Sequence, residues 1–237
     1  MQSKLVQLLV VLACVVLLGG VVFADSCPAT TLDNYLGAGY SCGINDKTFS
    51  SFQYSYSSNP PGFGIPAGGI AVTPITTPGN PGLQFSAGWF ASTSSGVLEE
   101  DSLIQYQVNV NPGGNLITDL SLSIGGVGFT GTGAVFVDET ACLGAILPSC
   151  TGGQIVTLSV YDSSAGSKLF DEVSFAGVSE VSVAKDITIQ AGTNGDARLS
   201  LVTNQFSEGQ VPEPSSIALF GTGVLGLAGL LRRKMNR

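Results

Sequence analysis

The stretch SLIQYQVNVNPGGNLITDLSLSI, Ser102 to Ile124, alternates apolar and polar residues on both sides of a glycine pair. Ile104, Tyr106, Val108 and Val110 share one face, and Gln105, Gln107 and Asn109 share the other, the pattern of a half-buried strand. Leu120, Leu122 and Ile124 repeat the device. In the intervening NPGGN, Gly113 and Gly114 permit positive φ, so the two runs are predicted to form an antiparallel hairpin. The same alternation recurs at Phe52, Tyr54 and Tyr56, at Leu83 to Phe90, at Ala134 to Asp138, and at Val156, Leu158 and Val160. Val181 with Val183, Ile187 with Ile189, and Leu199 with Leu201 extend it. Turns such as DSSAG, TGTGA and TNGDA divide these runs into roughly ten short strands.

No run between the chain's two apolar ends has helical periodicity. Many short strands, each with one apolar face, must stack to bury it, so the expected fold is an all-β antiparallel sandwich of jelly-roll or immunoglobulin-like type. The proline-rich and glycine-rich stretch Ser58 to Gly82 is read as a long surface loop or an edge region, because proline cannot donate to a ladder interior.

The ends differ from this body. Lys4 precedes an apolar run from Leu8 to Phe23, and Val22 and Ala24 are small residues before Asp25. Residues 1–24 are therefore read as a signal peptide, cleaved between Ala24 and Asp25 by signal peptidase. A lipoprotein reading of VLAC at Val11 to Cys14 fails because the apolar run continues past Cys14. At the other end Ser215 to Leu231 carries no charge, and Arg232, Arg233, Lys234 and Arg237 form a basic stop. A helix over 215–231 is a little shorter than the ~30 Å hydrocarbon core and is expected to span as a short helix, its basic end cytoplasmic. The expected organisation is a signal peptide at 1–24, an exported β-sandwich at 25–210, and a C-terminal segment at 211–237.

All 17 acidic residues lie between Asp25 and Glu213, whereas only Lys47, Lys168, Lys185 and Arg198 of the 9 basic residues lie in the body. This acidity argues against nucleic acid and anionic surfaces as partners. Cys27, Cys42, Cys142 and Cys150 remain after the leader, an even number suited to disulfides in an exported chain. Three connectivities are open, of which the local pairs Cys27 with Cys42 and Cys142 with Cys150 suit sequential hairpins. A zinc site would have to do without histidine and without any Cys-x-x-Cys knuckle.

Absent histidine also removes imidazole general bases and the Ser-His-Asp and Cys-His arrangements. The chain is read as a non-enzyme. Carboxylate pairs at Glu99 to Asp101, at Asp138 and Glu139, and at Asp171 and Glu172 are the candidates for glycoside cleavage, but neighbours on a strand point to opposite faces, so they are read as solvated turn and rim charges. No cofactor or metal is expected. Calcium suits the oxygen ligands of an exported β-domain, yet no EF-hand loop or glycine-aspartate repeat supports it. Trp89 is either core or a sugar-stacking platform, and the four body cations are too scattered to make a patch.

Val211, Pro212, Glu213 and Pro214, followed by the apolar run and the arginine-rich end, resemble the PEP-CTERM sorting signal of Gram-negative bacteria. The resemblance implies recognition by a membrane-embedded exosortase, transient anchoring in the cytoplasmic membrane through the C-terminal helix, and delivery to the cell surface or an extracellular polysaccharide matrix. A permanent single-span anchor is the rival reading. Segments such as DKTFSSFQYSYS, FVDETACLGA and LSLVTNQF are similar to small exported proteins that carry this signal, a likeness that brings no activity with it. The expected role is structural or adhesive; the alternative is a glycan-binding, calcium-assisted surface module.

Overall fold

The computed structural model describes residues 25–209. Among them fourteen strands form: β1 (Thr30–Thr31), β2 (Ser41–Ile44), β3 (Lys47–Asn59), β4 (Ala71–Ile75), β5 (Gly82–Ser92), β6 (Glu99–Val110) and β7 (Leu116–Gly125). Then follow β8 (Gly128–Gly131), β9 (Ala134–Leu143), β10 (Gln154–Ser163), β11 (Gly166–Lys168), β12 (Phe170–Val178), β13 (Glu180–Gln190) and β14 (Gly195–Gly209). The first sheet has the order β11-β10-β9-β13-β6-β3-β2, and the second has the order β1-β4-β5-β14-β7-β12, with β8 also paired to β14. Every strand pair is antiparallel. The chain is thus an antiparallel two-sheet sandwich. The expected signal helix and the expected helix over 215–231 lie outside the described residues, within which no helix is long and apolar enough to cross a membrane.

The decisive stretch forms two strands, as its alternation predicts, but they are not a hairpin. β6 pairs with β3 and β13 in the first sheet, whereas β7 pairs with β12 and β14 in the second. NPGGN is an arch between sheets, with Gly113 at φ 82°. Each strand turns its one apolar face to the core from its own sheet, with Ile104, Tyr106 and Val108 buried on β6 and Leu120, Leu122 and Ile124 on β7.

Two other readings are corrected. Val181 to Ile189 is one strand, β13, with Lys185 inside it. Leu199 and Leu201 do not share a face: the register between β14 and β5 shifts there, after which Val202, Asn204 and Phe206 point inward. The Ser58 to Gly82 stretch is an edge region, one of the two forms expected for it. β1 pairs with β4 only at Ala71 and Val72, so Pro74 sits where the edge of β4 is open and no donor is missed.

Tyr106 stands at the centre of the core. Its ring lies 5.4 Å from that of Phe52 and 6.2 Å from Phe49 on its own sheet, and 6.1 Å from Phe85 and 6.3 Å from Phe206 on the other. Each such pair contributes about 0.5–1.5 kcal/mol beyond area burial.

Both local disulfides are formed, Cys27 to Cys42 and Cys142 to Cys150, with sequence separations of 15 and 8. By loop closure they stabilise the fold by about 3 and about 2.5 kcal/mol respectively. Replacing either pair with serine is expected to lower the melting temperature by roughly 5–12 °C in thermal unfolding. Additive losses in the quadruple variant would show that the two loops act independently.

Candidate functional site

The acidic candidates separate by face. Glu139 points inward and is buried, while Asp138 points out and is exposed. Glu139 is therefore no rim charge: it forms an ion pair with the equally buried Lys185 and accepts a hydrogen bond from Asn204 Nδ2 at 3.1 Å. Burial pushes the Lys185 ammonium down, against the pull of Glu139. Glu100 is also buried, accepting from the backbone N–H of Phe90 at 2.9 Å and of Ile65 at 3.1 Å. Burial pushes its carboxyl up, opposed by those two donors. Asp171 pairs with Lys168 at 2.7 Å and accepts from Ser159 N at 2.9 Å, and Glu172 is exposed. Glu139 and Glu100 are thus core groups, while Asp138, Glu172 and the partly exposed Glu99, Asp101 and Asp171 stay in reach of water, as the rim reading expects.

Asp101, Asp186 and Asp138 come together on the outer face of the first sheet. Asp186 is the direct cross-strand partner of Asp138, and Asp101 lies one strand over, beside Asp186. No group of three or more metal-ligating side chains is placed to hold an ion among the described residues. The Asp101 carboxyl is pushed up to about 6, by burial first and then by the charge and hydrogen bond of Asp186 and the charge of Glu99. An acid whose folded pKa lies above its unfolded value costs stability at neutral pH, and the cost fades as pH falls through 6 toward 4. Asp101→Asn is therefore expected to raise the melting temperature at pH 7.5 and to change it little at pH 4. Because Asp101 is partly exposed, solvent screening holds the gain to about 1 kcal/mol or less. An equal gain at both pH values would rule out carboxylate repulsion as its cause.

Trp89 is fully buried and donates through Nε1 to Ser102 Oγ at 3.2 Å. It is core, so the glycan-binding alternative loses the platform that the sequence offered. Lys47 is buried as well, bridging Asp46 at 2.5 Å and Glu208 at 2.8 Å. Asp46 in turn accepts from Asn115 N at 2.6 Å, which ties the end of β14 to the NPGGN arch. Ser207 to Gly209 belong to β14 and pair with Asp119, Ile117 and Leu116.

What the structure does assemble is a groove on the outer face of the first sheet. A register shift in β3 between Ser50 and Gln53 puts an extra residue there and holds Ser51 at φ 57°. A bulge of this kind re-aims side chains. Ser51 Oγ donates to Gln107 Oε1 at 3.1 Å, Gln53 lies opposite Gln105, and Gln107 lies opposite Ser182. Over this floor sits a cavity of about 260 Å³ walled by Ile146, Leu147 and Pro148. A second cavity of about 360 Å³ shares Ser51 and Gln53 with it and is walled by Leu36 to Tyr40. Both walls are fixed. The disulfide Cys142–Cys150 brackets the first, where Leu147 N also donates to Ser182 Oγ at 3.2 Å, and Cys42 anchors the strand beside the second. The sequence shows Gln105 and Gln107 only as the polar side of a strand; that Gln53 lies beside them depends on strand pairing.

Comparison with solved structures returns sandwich proteins at low similarity. TmCBM61 in complex with β-1,4-galactotriose is 10% identical over 65% of this chain and 88% of that one, with a TM-score of 0.31. A structure from the carbohydrate-binding modules of the β-sandwich superfamily is 9% identical over 79% and 63%, with a TM-score of 0.29. The family 32 module of C. perfringens NanJ in complex with galactose is 15% identical over 65% and 93%, with a TM-score of 0.23. Likeness this distant carries no inference about a ligand. No curated protein matches the chain.

The C-terminus gives a firmer result. Val211 to Pro214 and the basic stop lie outside the described residues, but the sequence from the residue after β14 onward matches a sorting signal. The chain carries the PEP-CTERM protein-sorting motif at residues 210–234, which implies an exported protein, anchored in a membrane before exosortase processing.

Proposed function

We propose that the protein is a non-enzymatic surface or matrix component of a Gram-negative bacterium, structural or adhesive in role, whose tail an exosortase removes. The observation that carries this reading is the sorting motif placed directly after the last strand of an acidic, disulfide-stapled sandwich. Acidity keeps such a body soluble in transit and away from anionic lipid. Disulfides persist in the compartments it would cross. The strand-by-strand crossing between sheets from β5 to β7 and from β11 to β14 supports the jelly-roll version of the sandwich over an immunoglobulin-like one.

The test is the intact mass of the protein recovered from the native cell surface or medium, before and after reduction. Loss of residues 1–24 and of the tail near Val211 to Pro214, with a gain of about four mass units on reduction of two disulfides, is the expected result. A chain retaining Arg237 would make the tail a permanent anchor and sink the sorting step.

A further inference from the structure

The groove on the first sheet differs in its lining from the acidic surface around it. Its two cavities are lined by glutamine, serine, glycine, aromatic and aliphatic residues, without one charged residue, although the body around them is strongly acidic. The amides of Gln53 and Gln105 have no side-chain hydrogen-bond partner among the described residues, and in Gln107 only Oε1 is engaged. Three amide groups therefore face the groove, each able to donate and to accept. They sit on adjacent strands about 4.8 Å apart and at alternate positions about 6.8 Å apart along β6. Apolar surface stands beside them: Ile146 is 50% exposed, and Tyr40 packs at a tilt on Tyr35 and edge-on to Phe52.

We propose that this groove binds an uncharged oligosaccharide chain, an inference that rests on the reading of the protein as a surface or matrix component and names its partner there. Hydroxyl groups both donate and accept, as the amides and serines do, and the C–H faces of a pyranose ring match Ile146, Pro148 and Tyr40. Charge selects against the alternatives. A polyanionic glycan would meet an acidic body whose Lys47 and Lys185 are buried, whose Lys168 is paired with Asp171, and whose exposed Arg198 stands on the other sheet. An extended peptide would seek the ladder of a sheet edge, whereas Gln105 and Gln107 stand on β6, which is paired on one side with β3 and on the other with β13. The groove is also rigid, since its bulge and both walls are fixed by register and disulfides, so little ordering is needed on binding.

The test is calorimetric titration of the full-length protein in detergent micelles with neutral hexasaccharides (cellohexaose, maltohexaose, a β-1,3-glucan hexaose and mannohexaose), with an oligogalacturonate as the anionic probe. At least one neutral probe is expected to bind. Gln105→Ala with Gln107→Ala should weaken it about 10-fold or more, the loss expected for two hydrogen bonds. Phe90→Ala with Arg198→Ala, on the opposite sheet, should leave it within about 2-fold. If the double glutamine variant does not fold, Gln53→Ala at an exposed position carries the same test. Binding of no neutral probe, binding of the oligogalacturonate alone, retention of affinity in the glutamine variants, or its loss in the Phe90 and Arg198 variant would each overturn the proposal. The titration is read without regard to the tail, so its failure is distinct from a failure of the sorting reading, which the intact mass reports.

Discussion

Lys185→Met is expected to destabilise the sandwich by roughly 3–5 kcal/mol, a fall in melting temperature of roughly 6–20 °C for a body of this size. Methionine fills much of the space of the lysine stem, so little of the loss is packing. The loss arises from Glu139, a carboxylate with no exposure that keeps one amide donor, Asn204, and loses its countercharge. The pair belongs to a chain of contacts across the core. Lys185 on β13 and Glu139 on β9 are inner-face neighbours of the first sheet, Asn204 comes from β14 in the second, and Asn204 Oδ1 accepts from the buried hydroxyl of Tyr106 on β6. Asn204 Nδ2 also donates to Ser121 O at 3.0 Å on β7. No buried side-chain polar atom is left unpartnered among the described residues, so each deletion strands at least one group.

The double variant Lys185→Met with Glu139→Gln separates charge from contact. The amide that replaces the Glu139 carboxylate would keep an acceptor for Asn204 without a charge to bury, so the double variant should recover most of the loss, and the two changes should be strongly non-additive in a double-mutant cycle. Glu139→Gln alone leaves the lysine buried without its carboxylate. The folded pKa of Lys185 is already lowered by burial and would fall further, so the unfolded chain binds more protons in the interval and stability should rise as pH increases from 7 toward 10. A loss within about 1 kcal/mol for Lys185→Met, or additivity in the cycle, would mean that the pair is solvated after all. A network that satisfies every member only in one pairing of the strands also penalises slipped registers, since moving β14 by one residue turns Asn204 away from the core.

How much of this is legible in the sequence follows from what period-two alternation encodes. It states which side chains share a face, and so it gives the inner faces of β6 and β7 residue by residue. The same parity places Lys185 with Val183 and Ile187, and Glu139 with Val137 and Ala141, on apolar faces. Applied to charged residues, alternation finds the buried pair; the rim reading uses it only to separate Glu139 from Asp138, and does not ask which of the two shares the apolar face. Partner choice is another matter. Nothing local distinguishes a hairpin from an arch when both strands are half-buried, which is why NPGGN suggests the wrong connection. The bulge that turns Asn204 inward and the juxtaposition of Gln53 with Gln105 both depend on register between distant strands, which no local pattern carries. The disulfides are easier, because loops of 8 and 15 residues limit the choice of partner.

Replacing Pro212, Glu213 and Pro214 with alanine is expected to leave export intact and to trap the full-length chain in the cytoplasmic membrane, an all-or-none change in the intact mass of the membrane fraction. The geometry sharpens this expectation. β14 is held to its last residues by pairing with β7 and by the Lys47 to Glu208 ion pair, so the body remains folded up to Gly209. Only Gln210 and Val211 separate Gly209 from the triplet in the sequence. Prolines lack the N–H that would prolong the ladder of β14, and they favour an extended backbone in the residue before each. Alanines remove both properties while leaving the apolar run and the arginines untouched, so insertion should be unaffected. Normal tail loss in the alanine variant would deny the triplet its role in recognition. Retention of the tail in wild type and variant alike would make the segment a permanent anchor. Tail loss confined to the wild type, with the variant's body still carrying two disulfides, would show that processing reads the triplet and not the folding of the domain above it.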